Sequence, residues 1–402
     1  MPAEHFLHSA HRATRTKVSP VEFLPRTLLF YILSHAYLFL HFHKLFGKRT
    51  AFLATLPLFA AMGLFPYVYH MLPPGPFQAT FARAGALWLP PAFFCLCVFV
   101  LADALSLLAL AMRKRFPEAL LLFFSRKRYI ALLLVLAASL YAYGVYEAHS
   151  LRVTPLELAT TKLPDNIDHV RVVFAADLHI GPQTGVAMLR ETVTLIQSQN
   201  PDLILLGGDL LDDSFQGTPA DIQELQRLQA PMGVFAVLGN HDCFGNYQNA
   251  LVTLSKTGIT MLSDEAVNVG PLRLAGLDDP LVTAQKGESA RDAADILIES
   301  GLDRFTILLD HRPGIREHTI GLFDIQLSGH SHGGQLIMLR SLVEAAYGTP
   351  TGFSKHMTRK GQSHLFVTTG TGFSKLPIRL FVPPEIVVID IVRAPDDGLP
   401  RE

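Results

Sequence analysis

Two histidines sit two residues apart in "SGHSHGGQL", residues 328–336, with a glycine before the first and a glycine pair after the second. Imidazoles packed that closely on so bare a backbone suit the holding of a cation, and a cation needs further ligands. The chain supplies them at the ends of β-rich runs. "VRVVFAAD" ends at Asp177, "DLILLGGD" at Asp209, "GVFAVLGN" at Asn240, "FTILLDH" at His311 and "FDIQLSGH" at His330. In open α/β sheets, sites form beyond the carboxyl ends of strands. Asp and Asn at such ends often cap helices or make turns, yet five endings with metal- or phosphate-binding side chains point to one site. Asp177 and His179 are spaced i, i+2, as are His330 and His332, and in extended backbone that spacing puts both side chains on one face. Gly207, Gly208, Gly329, Gly333 and Gly334 allow close backbone approach and sharp turns.

Mixed carboxylate, imidazole and amide ligands suit Mn, Fe or Zn better than Mg or Ca, which prefer oxygen shells. Two Asp, one Asn and four His exceed the needs of one ion. The inventory suits two divalent ions roughly 3.5–4 Å apart that share a carboxylate. A hydroxide bridging two cations is a strong nucleophile near neutral pH, and the cations neutralise phosphate oxygens during in-line displacement. No covalent enzyme intermediate is then needed. Cys243 is a poor rival nucleophile, with no evident general base beside it.

The elements that position these residues begin near residue 169. Short β-rich runs alternate with helical stretches such as 185–199 and 219–229, the pattern of an α/β domain. Within it, "DLH" (177–179), "GGDLLDD" (207–213), "GNHD" (239–242), "LLDHRP" (308–313) and "GHSHGGQ" (329–335) resemble the ordered motif set of the calcineurin-like metallophosphoesterases. The "GGQ" and the stretch "TTGTGFSKLPIRLFVPPEIVVI" (368–389) resemble one branch, membrane-associated bacterial phosphoesterases with N-terminal transmembrane helices. The resemblance covers about residues 168–393 and implies a β-sandwich flanked by helices. It implies that Asp177, His179 and His332 hold one ion, that Asn240, His311 and His330 hold the other, and that Asp209 bridges them. His241 would face the phosphate and stabilise or protonate the leaving oxygen, with Asp242 orienting its ring. Ala176, Ser331 and Cys243 stand where many relatives have Ser, Thr and an aromatic residue. None of these departures removes a ligand.

The first 150 of the 402 residues carry 14 Lys/Arg against 5 Asp/Glu, a balance of +9, and the remainder has 20 against 30, a balance of −10. This reads as a membrane region, residues 1–148, joined by a linker at 149–168 to a soluble acidic domain at 169–393, with a tail at 394–402. The acidity excludes a general nucleic-acid binder. Three cysteines exclude a disulfide framework and a thiolate zinc site. Apolar stretches at about 25–46, 51–72, 85–112 and 129–148 are each long enough to cross a bilayer, which takes about 20 residues. Together they predict a four-helix, multi-pass region in the cell or inner membrane. Lys44, Lys48 and Arg49 after the first stretch and Arg113, Lys114, Arg115, Arg126, Lys127 and Arg128 after the third mark cytoplasmic loops, which places the catalytic domain on the outer, periplasm-like face. Asp103 inside the third stretch reads as a polar contact within the bundle, with Ser106 as a partner. His35, His41, His43 and His70 read as interfacial or packing residues.

The expected function is hydrolysis of a phosphodiester or pyrophosphate bond in a lipid- or envelope-linked substrate held near the bilayer. Residues 340–360, with Arg340, Lys355, Arg359, Lys360, Tyr347 and Phe353, are placed to meet anionic headgroups. The rival enzyme reading is a phosphomonoesterase or phosphoprotein phosphatase, for which Arg312 is the phosphate-gripping residue. The rival from another class is a non-catalytic membrane sensor, which retention of all seven ligands and His241 disfavours.

Overall fold

Along the run that leads to Asp177, Val172 and Phe174 pack into one apolar cluster, while Val173 and Ala175 pack into another. This is the two-residue period of a strand covered on both faces. The computed structural model describes residues 29, 32–42, 76–111, 127–213, 215–244, 246–348, 352–358, 361–374 and 376–394. The chain divides into two compact units, Met1–Ala137 and Ala138–Glu402.

The first unit contains α1 (Ile32–Phe42), α2 (Pro76–Ala111) and the start of α3 (Lys127–Ala148). Segments Pro91–Leu108 of α2 and Ile130–Ala148 of α3, with mean hydropathy 2.2 and 1.7, are long and apolar enough to cross a membrane. Four such helices were expected, and two meet the test among the described residues. α1 is a shorter apolar helix, and the stretch 51–72, with His43 and His70, lies outside the described residues. Asp103 bonds across helices. Tyr37 Oη donates to it at 2.7 Å and His41 Nε2 lies 3.3 Å away, while Ser106 donates to the Ala102 carbonyl.

The second unit runs β1 (Arg152–Thr160), β2 (His169–Ala175), α4 (Gly185–Ser198), β3 (Leu203–Leu206), α5 (Pro219–Leu225), β4 (Val234–Ala236), α6 (Tyr247–Leu254), β5 (Thr260–Met261), β6 (Glu265–Val269), β7 (Leu272–Gly276), α7 (Pro280–Lys286), α8 (Ala293–Ser300), β8 (Phe305–Leu309), β9 (Ile325–Ser328), α9 (Ile337–Tyr347), β10 (Gly352–Thr358), β11 (Gly361–Val367) and β12 (Glu385–Arg393). Two mixed six-stranded sheets result, ordered β1-β12-β2-β3-β4-β5 and β10-β11-β9-β8-β7-β6. Side chains from both, among them Phe174, Leu205, Leu274, Ile307, Leu327 and Ile389, share the apolar layer between the sheets. The outer face of the first sheet is covered by Leu189, Val193 and Ile196 of α4 and Leu254 of α6. That of the second is covered by Ile296 and Leu297 of α8. The result is a two-sheet α/β sandwich flanked by helices.

The expected linker is a correction. Residues 152–160 form β1, paired in parallel with β12 from Arg152↔Glu385 to Thr160↔Arg393. Pro155 argues against a central strand, but β1 is an edge strand, where a missing N–H costs little. Three residues therefore separate α3 from the first sheet, and the last turns of α3 belong to the second unit.

β12 is fastened to β2 by Asp390, whose carboxylate takes Arg171 Nε at 2.9 Å and His169 Nε2 at 2.7 Å. The Arg171 hydrogen bond outweighs burial and, with a smaller share from His169, holds Asp390 below the usual carboxylate range. A depressed folded pKa stabilises above the unfolded value near 4 and loses that effect as pH falls through the folded value. Asp390→Asn is therefore expected to cost about 1 kcal/mol at neutral pH. The thermal midpoints of variant and wild type should converge in acid.

Candidate metal centre

The five strands that carry the motifs stop two to four residues short of their polar endings: β2 before Asp177, β3 before Asp209, β4 before Asn240, β8 before His311 and β9 before His330. The loops beyond the strands converge. Asp177 N–H donates to the Gly208 carbonyl at 3.0 Å and His179 N–H to the Asp209 carbonyl at 3.0 Å. The His330 N–H donates to Asp177 Oδ1 at 2.9 Å.

The i, i+2 spacing works by a different route from the one expected. Asp177, His179, Asp209, His330 and His332 all have positive φ, from 45° to 66°, so the backbone is left-handed at each rather than extended. Such positions cost a non-glycine residue about 1–3 kcal/mol each and cluster where side chains must be aimed. Gly208, with φ of 90°, is required on two counts, since a Cβ there would lie 2.7 Å from His311 Nδ1.

Three groups of candidate ligands form among the described residues, two from the expected set and a third of His179, Asp212 and His241. Asp177, His179 and His332 lie together, with His179 Nε2 and His332 Nε2 3.1 Å apart. Asp209, His311 and His330 form the second group. Asp209 faces both, for its Oδ2 is 3.2 Å from His311 Nε2 and 3.7 Å from His179 Nε2. Its Oδ1 accepts the His241 N–H at 2.8 Å. Nearly all of these side chains are buried.

The donor set fits cations. His311 Nδ1 is 2.8 Å from the Gly207 carbonyl and donates to it. The Nε2 lone pair of that tautomer then points at a carboxylate oxygen, an arrangement that needs a proton or a metal ion between the two. Nε2 of His311 and Oδ1 of Asn240 are buried atoms with no hydrogen-bond partner, the condition of a ligand rather than of a satisfied core group. Burial disfavours a charged His311, but the Asp209 carboxylate outweighs it and pushes the imidazole up to about 10. Burial, followed by the charge of His311, pushes His330 down to about 3. Burial and the neighbouring His179 hold His332 far below its ordinary value. The last two are thus neutral imidazoles with lone pairs available at physiological pH.

The supporting shell differs from expectation at one residue. The Asp242 carboxylate accepts the backbone N–H groups of Leu211 at 2.7 Å, Gly239 at 2.8 Å and Leu210 at 3.3 Å, so it pins the loops that carry Asp209 and Asn240. Burial, followed by Asp209, pushes it up to about 6. The ring of His241 is met instead by Asp213, 2.9 Å from Nδ1, with Asp212 at 3.4 Å. Asp212 also lies 3.3 Å from His179 Nδ1. Both aspartates sit inside "GGDLLDD", and their spacing from Asp209 was the signal available for finding them.

One further residue was missed, and one expected to meet lipid headgroups touches the site. Arg379 is fully buried and donates to the carbonyls of Thr369 and Gly372, with Nη2 3.4 Å from His332 Nδ1. The loop it holds bonds back to the Asp177 strand end through Gly372 N–H, 2.8 Å from the Asp177 carbonyl. Tyr347, at the end of α9, places its hydroxyl 2.9 Å from His330 Nε2. Arg312, expected to grip a phosphate, is engaged by Asp279 through Nε at 2.6 Å and Nη2 at 3.2 Å.

A family model described as calcineurin-like phosphoesterase matches residues 170–334. The chain is 30% identical over 258 residues to an uncharacterised metallophosphoesterase of Aquifex aeolicus, an alignment covering 64% of this chain and 97% of that one. It is 29% identical to the metallophosphoesterase YkuE of Bacillus subtilis, over 62% of this chain and 89% of that one. A transmembrane protein with metallophosphoesterase domain from Danio rerio is 28% identical, over 66% of this chain and 63% of that one. With a relative at this identity covered almost end to end, the chain belongs to the calcineurin-like phosphoesterase family, which uses divalent metals, and is a metal-dependent hydrolase of phosphoric esters.

Proposed function

We propose that the chain is a membrane-anchored phosphoesterase with a binuclear metal centre, cleaving a phosphodiester or pyrophosphate bond in a lipid-linked substrate. The observation that carries the binuclear reading is Asp209 Oδ2, which faces both ligand groups. In this reading Asp177, His179 and His332 would hold one ion, Asn240, His311 and His330 would hold the other, and Asp209, which faces both groups, would serve both. Held there, divalent ions such as Mn, Fe or Zn would neutralise charge on the phosphate and lower the pKa of water. The protein's own share is orientation and proton transfer. His241, fixed at Nδ1 by Asp213, delivers a proton from Nε2 to the leaving oxygen, and Asp212 orients His179.

The engagement of Arg312 by Asp279 supports a diester over a monoester dianion, which favours an Arg fork presented to its terminal oxygens. Cys243 is buried, donates its thiol to the Gly239 carbonyl, and has its pKa pushed well up by burial and nearby aspartates. Cys243→Ala is expected to keep metal-dependent turnover; its loss would restore the covalent route. The two apolar helices support anchoring, and the basic residues at 44–49 and 113–128 support an outer-face catalytic domain. A C-terminal reporter found in the cytoplasm would refute that orientation.

The deciding experiment uses the full chain in detergent, stripped of metal and resupplied with Mn. Hydrolysis of bis-p-nitrophenyl phosphate is compared with that of p-nitrophenyl phosphate. Metal-dependent diester cleavage supports the proposal. Preference for the monoester overturns its diester half, and no metal-dependent turnover of either points to a sensor or to a substrate that neither ester mimics. An enzyme that ignores lipid phosphodiesters while cleaving soluble nucleotides overturns the lipid-linked substrate.

A further inference from the structure

Helix α9 is amphipathic in the wrong sense for a soluble protein. None of its residues is buried. Its apolar Met338 and Leu342 are 53% and 69% exposed, and Ile337 and Leu339 are exposed as well. Its ion pair, Arg340 Nε to Glu344 Oε1 at 3.0 Å, is less exposed than Met338 and Leu342, with the two side chains 39% and 27% exposed. Surface helices normally bury the apolar stripe and expose the charges. An apolar face held outward next to a functional site marks an interaction surface.

What covers it is indicated by the neighbouring segment. The Ile337 N–H donates to the Leu380 carbonyl at 2.9 Å, so α9 begins on residues 378–382. The same residues hold the end of α3. Arg379 N–H donates to the Gly144 carbonyl at 2.9 Å, and the Glu147 carboxylate accepts the Val382 N–H. Between these two attachments stands Phe381, 54% exposed, with φ of 57° and its ring 5.3 Å from that of Tyr143. Tyr146, one turn on, is 70% exposed. Exposed aromatic rings at the end of an apolar helix of spanning length form the belt seen at a membrane–water boundary. With three residues between α3 and β1, the unit has no slack to stand off from the bilayer.

We propose that the outward face of α9, with Phe381 and Tyr146, lies in the bilayer interface that α3 enters, and that α9 thereby holds the His330 side of the site at the level of lipid headgroups. The helix spans about 16 Å, from Ile337 at the α3 attachment to Tyr347, whose hydroxyl meets His330. The occupant is a lipid surface, and the proposal rests on the membrane-anchored reading for the presence of that surface.

The test places tryptophan reporters in the full chain. The single native tryptophan is removed by Trp88→Phe, and Leu342→Trp, or Met338→Trp as an independent reporter, is reconstituted in phosphatidylcholine vesicles with brominated or plain acyl chains. Val135→Trp in α3 reports anchoring, and Ile298→Trp on α8 reports an exposed apolar position elsewhere. Insertion of an interfacial helix to about 5–10 Å predicts that the α9 reporters lose more than about half of their emission in brominated lipid. The Val135 reporter should be quenched too, and the Ile298 reporter should not. Unquenched α9 reporters with a quenched Val135 reporter would overturn the proposal and leave anchoring intact. In that case, resistance to acrylamide would point to a second protein surface on α9, and quenching by acrylamide to bare solvent. An unquenched Val135 reporter would overturn anchoring and the proposal together. Failure to cleave any lipid phosphoester, with the α9 reporters quenched, would overturn only the substrate reading.

Discussion

Asp209→Asn is expected to lower turnover by more than about 10³-fold, because loss of a shared cation removes several kcal/mol of transition-state charge stabilisation and each 1.36 kcal/mol is tenfold in rate. The side chain keeps its shape, but the amide cannot replace a carboxylate whose Oδ2 faces His311 Nε2 at 3.2 Å and His179 Nε2 at 3.7 Å. Burial opposes ionisation of Asp209, yet His311 and His179 together hold its pKa well below the usual range. It is therefore a full negative charge in a buried site, and its loss leaves His311 without the partner that pushes it up to about 10. Steady-state kinetics together with metal content would test this. The variant should lose metal as well as rate. A variant that kept its metal and most of its activity would remove Asp209 from the bridging position.

His241→Ala is expected to lower kcat by about 10²–10⁴-fold, the usual range for a positioned proton donor, with metal content unchanged. The loss should be large for an alkyl leaving group and small for p-nitrophenolate, which departs without a proton. Equal losses for both leaving groups would give His241 a purely electrostatic part. Asp213→Asn should reproduce the same leaving-group dependence at about 10–100-fold, the cost typical of removing the group that orients a functional histidine. Asp242→Asn should act differently. Its oxygens take the backbone N–H groups of Gly239, Leu210 and Leu211, so its replacement should lower the thermal midpoint rather than alter leaving-group dependence.

The strand ends were legible because burial on both faces demands continuous apolar runs, and each run here ends abruptly in a polar residue. Asp177, His179, Asp209, His311, His330 and His332 could be gathered from that pattern and from the family resemblance, and the structure brings them into two adjacent groups. How they are aimed was not legible. Left-handed φ at five of them is fixed by loops that cross-bond, such as Gly208 to Asp177, and the mild preference of Asp and His for that region does not single these positions out. The partner of His241 was misread for a related reason. Asp242 is adjacent in sequence, but its position in a short 3₁₀ turn sends its carboxylate back to the loops, whereas Asp213 comes from a distant strand end. Residues 152–160 hid as a linker because Pro155 and an exposed edge weaken the strand signal. Arg379 was invisible, and Tyr347 was legible only as a headgroup-facing residue, since each reaches the site through tertiary contacts alone.

The central claim is that two cations share the Asp209 carboxylate. The most direct measurement is electron paramagnetic resonance during Mn titration of the metal-free full chain. The account predicts uptake of about two Mn per chain and a spin-coupled spectrum as the second ion binds, since two ions sharing one carboxylate would interact magnetically. Saturation at one Mn, or two ions that give only independent, uncoupled signals, would contradict it.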